Sequence, residues 1–356
     1  MIDFILSEEP KIRLISFLGI FTFMAIVETI WPRKKRVDSR KNRWTSNFGI
    51  VFVSSFAANL FFKFLFIGTL VQFASMIRDK GWGLFNYFAD SSVQMSSGAE
   101  WLLILKGIIV MDLIIYFQHR FSHSNKYIWD MHKVHHADLD LDVTSGNRFH
   151  PVEILFSLLV KIVSITVLGI HPVSMIIFEV VLNGMAQWNH SNFKLPLWID
   201  KYVRLIIVTP DFHRVHHSVH VKETNSNYGF NLSWWDYMFG TYQGQPRDGH
   251  ENMKLGLNEY RDPKKLRLID LFLIPYDQKT LAYAHANNKE EIIFDSKEKI
   301  IHPPNDPSFH EKNKVAYDKE KIDSLKKFCD EKLGKGVIIC KDTPGFLGNR
   351  VGVYAM

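Results

Sequence analysis

Eight of the 16 histidines in this 356-residue chain fall in three tight clusters: His119-x3-His123, His132-x2-His135-His136 and His213-x2-His216-His217. Residues three and four apart share one face of a helix, so each cluster can aim two or three imidazoles at a common point. A structural zinc site takes four ligands and a catalytic one three. Eight imidazoles exceed what one ion needs, and the pattern predicts two metals in one pocket. Imidazole suits zinc, copper, iron and nickel, so the spacing alone does not choose the metal. A lone histidine is ordinarily a hydrogen-bonding residue; it is the repeated i, i+3, i+4 spacing that argues for ligation.

The elements that must carry these clusters are apolar. Residues 12–32 form a first run, closed by Trp31-Pro32 and the basic Lys34-Lys35-Arg36, which reads as a membrane helix with its C-terminal end in the cytosol. A second run, 47–77, is long enough for a tilted or bent span, and Lys63 within it must snorkel or face a partner. The third, 101–117, ends directly at His119. The fourth and fifth, 152–168 and 173–188, are joined by the helix-breaking Gly169-Ile170-His171-Pro172 and return the chain to the side it left. Every cluster then falls on the cytosolic face. The expectation is an all-α integral membrane protein with four to five membrane helices and a cytosolic helical cap that carries a histidine-rich di-metal site.

Composition agrees. Aromatic residues make up 14% of the chain, and a mean hydropathy of −0.06 averages an apolar part before about residue 240 with a charged part after it. The formal charge of +6 sits in clusters beside apolar runs, the placement of a membrane protein rather than of a nucleic-acid binder. Cys329 and Cys340 are too few and too late for a disulfide framework, which fits a reducing compartment. The start lacks the basic segment and cleavage site of a secretory signal, so the first apolar helix is expected to stay as an anchor.

The order HxxxH, HxxHH, HxxHH beside apolar runs resembles the fatty acid hydroxylase / sterol desaturase superfamily. Further segments share the likeness: RFHPVE (148–153), WNHSN (188–192) and NYGFNLSWWDYMFGT (227–241). It covers about residues 10–245. Carried over position by position, the resemblance implies metal ligation by His119, His123, His132, His135, His136, His190, His213, His216 and His217. Some relatives carry a second HxxxH at His190, but Ala186 stands four residues before it here, so one ligand of the fuller pattern is absent. Asp236, singled out by WDxxFGT, is the foremost carboxylate expected to orient a ligand at the catalytic centre; Asp112, Asp130 and Asp211 are further candidates. His150 fits either a helix start or a ligand, and His220 stays open. His171, His250, His285, His302 and His310 read as non-ligands, and Trp234, Trp235, Tyr237 and Phe239 as an interfacial aromatic anchor.

The resemblance further implies two iron ions, dioxygen as co-substrate and no tightly bound organic cofactor, with electrons from a cytochrome b5-like or ferredoxin system. The expected reaction is hydroxylation, or desaturation, of a membrane lipid such as a sterol, a fatty acyl chain or an ether lipid. It would take place in a bacterial inner membrane or the endoplasmic reticulum, with the site facing the cytosol. The alternative from the residues is a zinc-dependent membrane hydrolase, but such sites usually pair histidines with a carboxylate, as in HExxH, and no cluster contains one. No nucleic-acid partner is expected.

Three regions follow: 1–245 as the hydroxylase-like membrane domain, 246–317 as a cytosolic extension and linker, and 318–356 as a tail. The tail's KDTPGF-x-x-NR resembles a short piece of 3-hydroxyacyl-CoA dehydrogenases. It lacks the glycine-rich phosphate-binding fingerprint, so it reads as an appendage without NAD binding.

Overall fold

The computed structural model describes residues 1–87, 97–277, 337–340 and 352–355. Contacts divide the chain into two compact units, Met1–His285 and Ala286–Met356. In the second unit the described residues are two antiparallel strands, β1 (Val337–Cys340) and β2 (Gly352–Ala355), with Val337 opposite Ala355 and Cys340 opposite Gly352. The rest of the dehydrogenase-like tail, the stretch 278–336 and His285, His302 and His310 lie outside the described residues.

The first unit is helical throughout its described residues. A short α1 (Ile2–Ser7) leads into α2 (Glu9–Ile30) and α3 (Arg40–Leu65). The second apolar run then breaks. Phe66 adopts a left-handed conformation (φ 56°), and Thr69 and Gln72 form a reciprocal capping box that opens α4 (Leu70–Asp79). Residues 47–77 are therefore two helices, with α4 packed against α8 and α9 instead of extending α3. After α5 (Leu84–Tyr87) come α6 (Ser97–Ser124) and α7 (Lys126–His136), the latter capped by Asn125. Two helices open on a His-Pro pair: α8 (Pro151–Leu168) and α9 (Pro172–His190). In each, the histidine caps the first turn from its side chain and proline occupies the first position, where no N–H is required. Gly169, at φ 68°, closes α8.

Short helices complete the unit: α10 (Leu197–Val203), α11 (Pro210–His216), α12 (Val221–Thr224), α13 (Trp234–Met238), α14 (Gly249–Asn252) and α15 (Leu268–Leu273). Residues beyond 245 also contribute to the core. Leu257, Leu266, Leu271 and Ile274 share a buried cluster with Ile50 of α3 and Trp129 and Val134 of α7.

Among the described residues three stretches are long and apolar enough to cross a membrane: Glu9–Ile30, Arg40–Tyr87 and Pro151–Leu168. Their outer faces agree. Phe48, Phe52, Phe56, Leu60 and Phe64 recur every four residues along α3 and are all exposed. In water each would forgo roughly 2 kcal/mol of burial, whereas acyl chains solvate such a stripe. The chain is an integral membrane protein. Within the apolar layer α4, α6, α8 and α9 bury one core of Leu70, Ala74, Ile77, Met111, Ile165 and Phe178, among others, and Phe230 packs on its edge.

Candidate metal centre

All nine histidines singled out above come together. They are at most 7% exposed and form two adjoining groups: His119, His123, His132, His136 and His216 in one, His135, His190, His213 and His217 in the other. Within each group the ligand atoms lie within 4.8 Å of one another. The division follows how each helix faces the centre. His132 and His136, one turn apart on α7, face the first group while His135 turns to the second. On α11 and its C-terminal cap, His213 and His217 face the second group while His216 crosses to the first. His119 and His123, at the end of α6, add their pair to the first group. His190, the last residue of α9, enters the second group alone, because Ala186 stands where its helical partner would be.

The ring nitrogens fit a cation. Nε2 of His190 lies 3.1 Å from Nε2 of His135, 3.0 Å from that of His213 and 3.2 Å from that of His217. Its Nδ1 donates to the Ala186 carbonyl at 2.8 Å, so Nε2 carries a bare lone pair. One lone pair cannot accept three protons. A cation at the shared point satisfies all four rings, and metal–nitrogen bonds of about 2.0–2.1 Å bring ligand atoms to about this separation. In the first group Nε2 of His136 lies 3.2 Å from Nε2 of His132, and Nε2 of both His123 and His216 is buried without a hydrogen-bond partner among the described residues.

Burial, and then the neighbouring imidazoles, push His135, His136, His213, His216 and His217 well below the usual histidine value. They are neutral near pH 7, the form that ligates.

Groups behind the rings set their orientation. His119 Nδ1 donates to the Tyr228 carbonyl (2.8 Å), His216 Nδ1 to the Ser226 carbonyl (2.7 Å) and His132 Nδ1 to the Glu153 carboxylate (2.6 Å), and His123 Nδ1 meets Asn225 Oδ1 at 3.2 Å. Such partners fix tautomer and ring plane. Of these Glu153, inside HPVE, and Tyr228, inside NYG, fall in segments of the family likeness, but of the two only Glu153 acts through its side chain. The carbonyls belong to residues whose side chains do other things.

Asp236 acts one step further back. Its buried carboxylate accepts the N–H groups of Tyr228 (2.8 Å) and Gly229 (2.7 Å) and the Thr241 hydroxyl (2.6 Å). It holds the turn whose Tyr228 carbonyl accepts from His119 Nδ1. Burial raises it to about 6 against the lowering effect of these bonds. The other candidate carboxylates also meet groups other than the imidazoles. Asp112 accepts Trp235 Nε1 and the Leu232 N–H, Asp130 pairs with Lys133, and Asp211 pairs with Arg33 and Arg214. Trp235 is thereby buried, while Trp234, Tyr237 and Phe239 stay partly exposed.

Outside both groups, His150 and His171 are helix caps and His220 meets Asp248 at 2.8 Å. His250 lies near Asp211.

Two aromatic rings lie beside the imidazoles, and one of them, Phe230, also packs against the apolar core. Phe149 stacks on His135 with centroids 4.5 Å apart, and Phe230 stands 6.3 Å from both His119 and His213.

Residues 104–241 match the family model for fatty acid hydroxylase. The chain is similar to an ornithine lipid hydroxylase of Rhizobium tropici, 31% identical over 40% of this chain and 43% of that one. It is also similar to an alkylglycerol monooxygenase of Danio rerio (29%, over 41% of this chain and 31% of that one). A methylsterol monooxygenase of Arabidopsis thaliana is 28% identical over 40% of this chain and 53% of its own. The matches thus span about a third to a half of these relatives. No solved structure matches.

Proposed function

With residues 104–241 assigned to the fatty acid hydroxylase family, we propose that this chain is a membrane-embedded di-iron oxidoreductase that uses dioxygen to hydroxylate a membrane lipid. The observation that carries the reading is the pair of adjoining imidazole groups, five and four strong, at the edge of an apolar helical layer. The relatives named as hydroxylases of ornithine lipid, alkylglycerol and methylsterol support a lipid as substrate. Desaturation of the same class of substrate is the related outcome.

When bound, the iron pair supplies dioxygen activation and the oxidising power to take hydrogen from an unactivated C–H bond. The chain's own residues do the rest. Buried neutral imidazoles would hold both ions without a protonation step, and the donors behind them hold each ring in place before substrate arrives. Phe230, which packs on the apolar core, and Phe149, stacked on His135, would exclude water and give an acyl chain or sterol ring a surface to lie against. No organic redox group is implied by the sequence, so electrons come from a separate donor, a cytochrome b5-like protein or a ferredoxin, on the cytosolic side. The zinc hydrolase alternative draws no support from the site. Glu153, the carboxylate bonded to a grouped imidazole, stands behind His132 and not beside the point where the rings converge.

Metal analysis of the purified protein, joined to a comparison of lipid extracts from cells with and without it, tests the reading. Two iron ions per chain and a lipid gaining one oxygen atom are expected. Stoichiometric zinc with unchanged lipid oxidation would overturn it.

A further inference from the structure

We propose that Glu28 and Arg33, at the C-terminal end of α2 and outside the matched region, are positioning residues for the four-imidazole group, so that His190 and His213 bind metal only while α2 is docked. The proposal rests on the reading that each imidazole group holds one metal ion.

Glu28 is fully buried at the end of an apolar helix, a placement that demands partners. Its Oε2 accepts the backbone N–H of Asn192, two residues beyond His190, and that of Val143, both at 3.1 Å. Val143 lies in the loop after α7, three residues before Gly146, which packs against the Ala186 carbonyl, the same oxygen that receives His190 Nδ1. Glu28 Oε1 takes Arg40 Nη2 at 2.9 Å, which compensates the buried charge.

The next residues extend the hold. Arg33 N–H donates to the Asn192 carbonyl (2.8 Å) and Lys194 N–H to the Trp31 carbonyl (3.0 Å), and the Asn192 side chain bonds both the N–H (2.9 Å) and the carbonyl (2.7 Å) of Lys34. The segment after His190 is thus laced to the segment after α2. The Arg33 guanidinium, 8% exposed, lies 3.1 Å from both oxygens of Asp211, two residues before His213. These contacts reach the neighbours of His190 and His213, both in the four-imidazole group. Arg43 of α3 holds the loop after α7 as well, through Asp138, Asp142 and Ser145. The α2 contacts are the ones made to the segments beside His190 and His213, so their loss should release the ion of the four-imidazole group.

The test measures metal content and the magnetic signature of the iron in Glu28→Gln, Arg33→Ala, Arg33→Lys and Asp211→Asn proteins, with helicity followed by circular dichroism. Two ions per chain are expected in the wild type. Glu28→Gln, Arg33→Ala and Asp211→Asn should fall to about one, with a mononuclear iron signal replacing that of the coupled pair and helicity unchanged, and Arg33→Lys should recover part of the second ion. Retention of two ions with the wild-type spectrum would overturn the proposal. So would loss of both ions together with helicity across these variants, since that is the behaviour of a purely structural contact. A wild type with fewer than two ions would overturn the two-metal reading itself, and the proposal with it.

Discussion

The nine imidazoles were legible from spacing and family likeness because a helix turns i and i+4 to one side wherever it lies. Their division into five and four was not, because it depends on which way each helix faces the pocket. Also hidden were the carbonyls of Tyr228, Ser226 and Ala186, which orient three rings with backbone atoms that no residue type marks. Glu153 is the residue on which that orienting role can be tested. Removing the charge behind His132 in Glu153→Gln should weaken metal affinity by about 10- to 100-fold with the fold intact, as a competitive chelator titration would measure. Acidity tests the imidazoles themselves. Six of them are held well below the ordinary 6.5 by burial and then by one another, and burial lowers His119 to about 3 and His190 to about 4. Below that pH the unfolded chain takes up protons that the folded centre refuses, so their contribution to stability is full above pH 6.5 and is lost progressively as pH falls. Asp236, raised from 3.8 to about 6, opposes them between those values, and burial raises Asp140 and Glu259 too, but the lowered imidazoles are more numerous. The unfolding temperature of detergent-solubilised protein should therefore drop from pH 7 to pH 5; a rise would contradict these environments.

At the scale of elements, the His-Pro starts of α8 and α9 could be read from sequence, and the structure places both. The break between α3 and α4 could not, because residues 47–77 are apolar almost throughout and the interruption rests on a left-handed Phe66 and a local cap. Glycines mark where elements approach most closely. A side chain at Gly146 would overlap the Ala186 carbonyl and come within 3.1 Å of His190 Nδ1. Gly146→Ala should accordingly cost the four-imidazole group its ion while the five-imidazole group keeps its own, an outcome that metal analysis resolves. Gly169→Ala works through the scaffold. Its φ of 68° disfavours any side chain, and the new Cβ would sit 2.6 Å from Asn86 Nδ2 and 2.7 Å from the Trp82 carbonyl. A loss of about 1–3 kcal/mol in unfolding free energy is expected there, with metal content unchanged in the folded fraction.

For the molecule as a whole, the apolar character of residues before about 240 announced a membrane protein, and the exposed i, i+4 stripe of α3 gives that character a direction. Less visible was how much of the chain outside residues 104–241 bears on the centre. Ordinary salt bridges and amides supply those contacts, and nothing in their spacing signals a site. Because residues up to 277 contribute helices and core to the first unit, a chain ending after His285 should insert, bind metal and turn over as the full chain does. Activity lost on that truncation would assign the second unit a role. The central claim, a two-metal centre that puts oxygen into a membrane lipid, is tested most directly by supplying isotopically labelled dioxygen to membranes that contain the wild-type protein or its His216→Ala variant, followed by mass spectrometry of the lipids. One labelled oxygen atom in a lipid product with the wild type, and none with the variant, is the expected result. A modified lipid whose new oxygen comes from water would contradict the account.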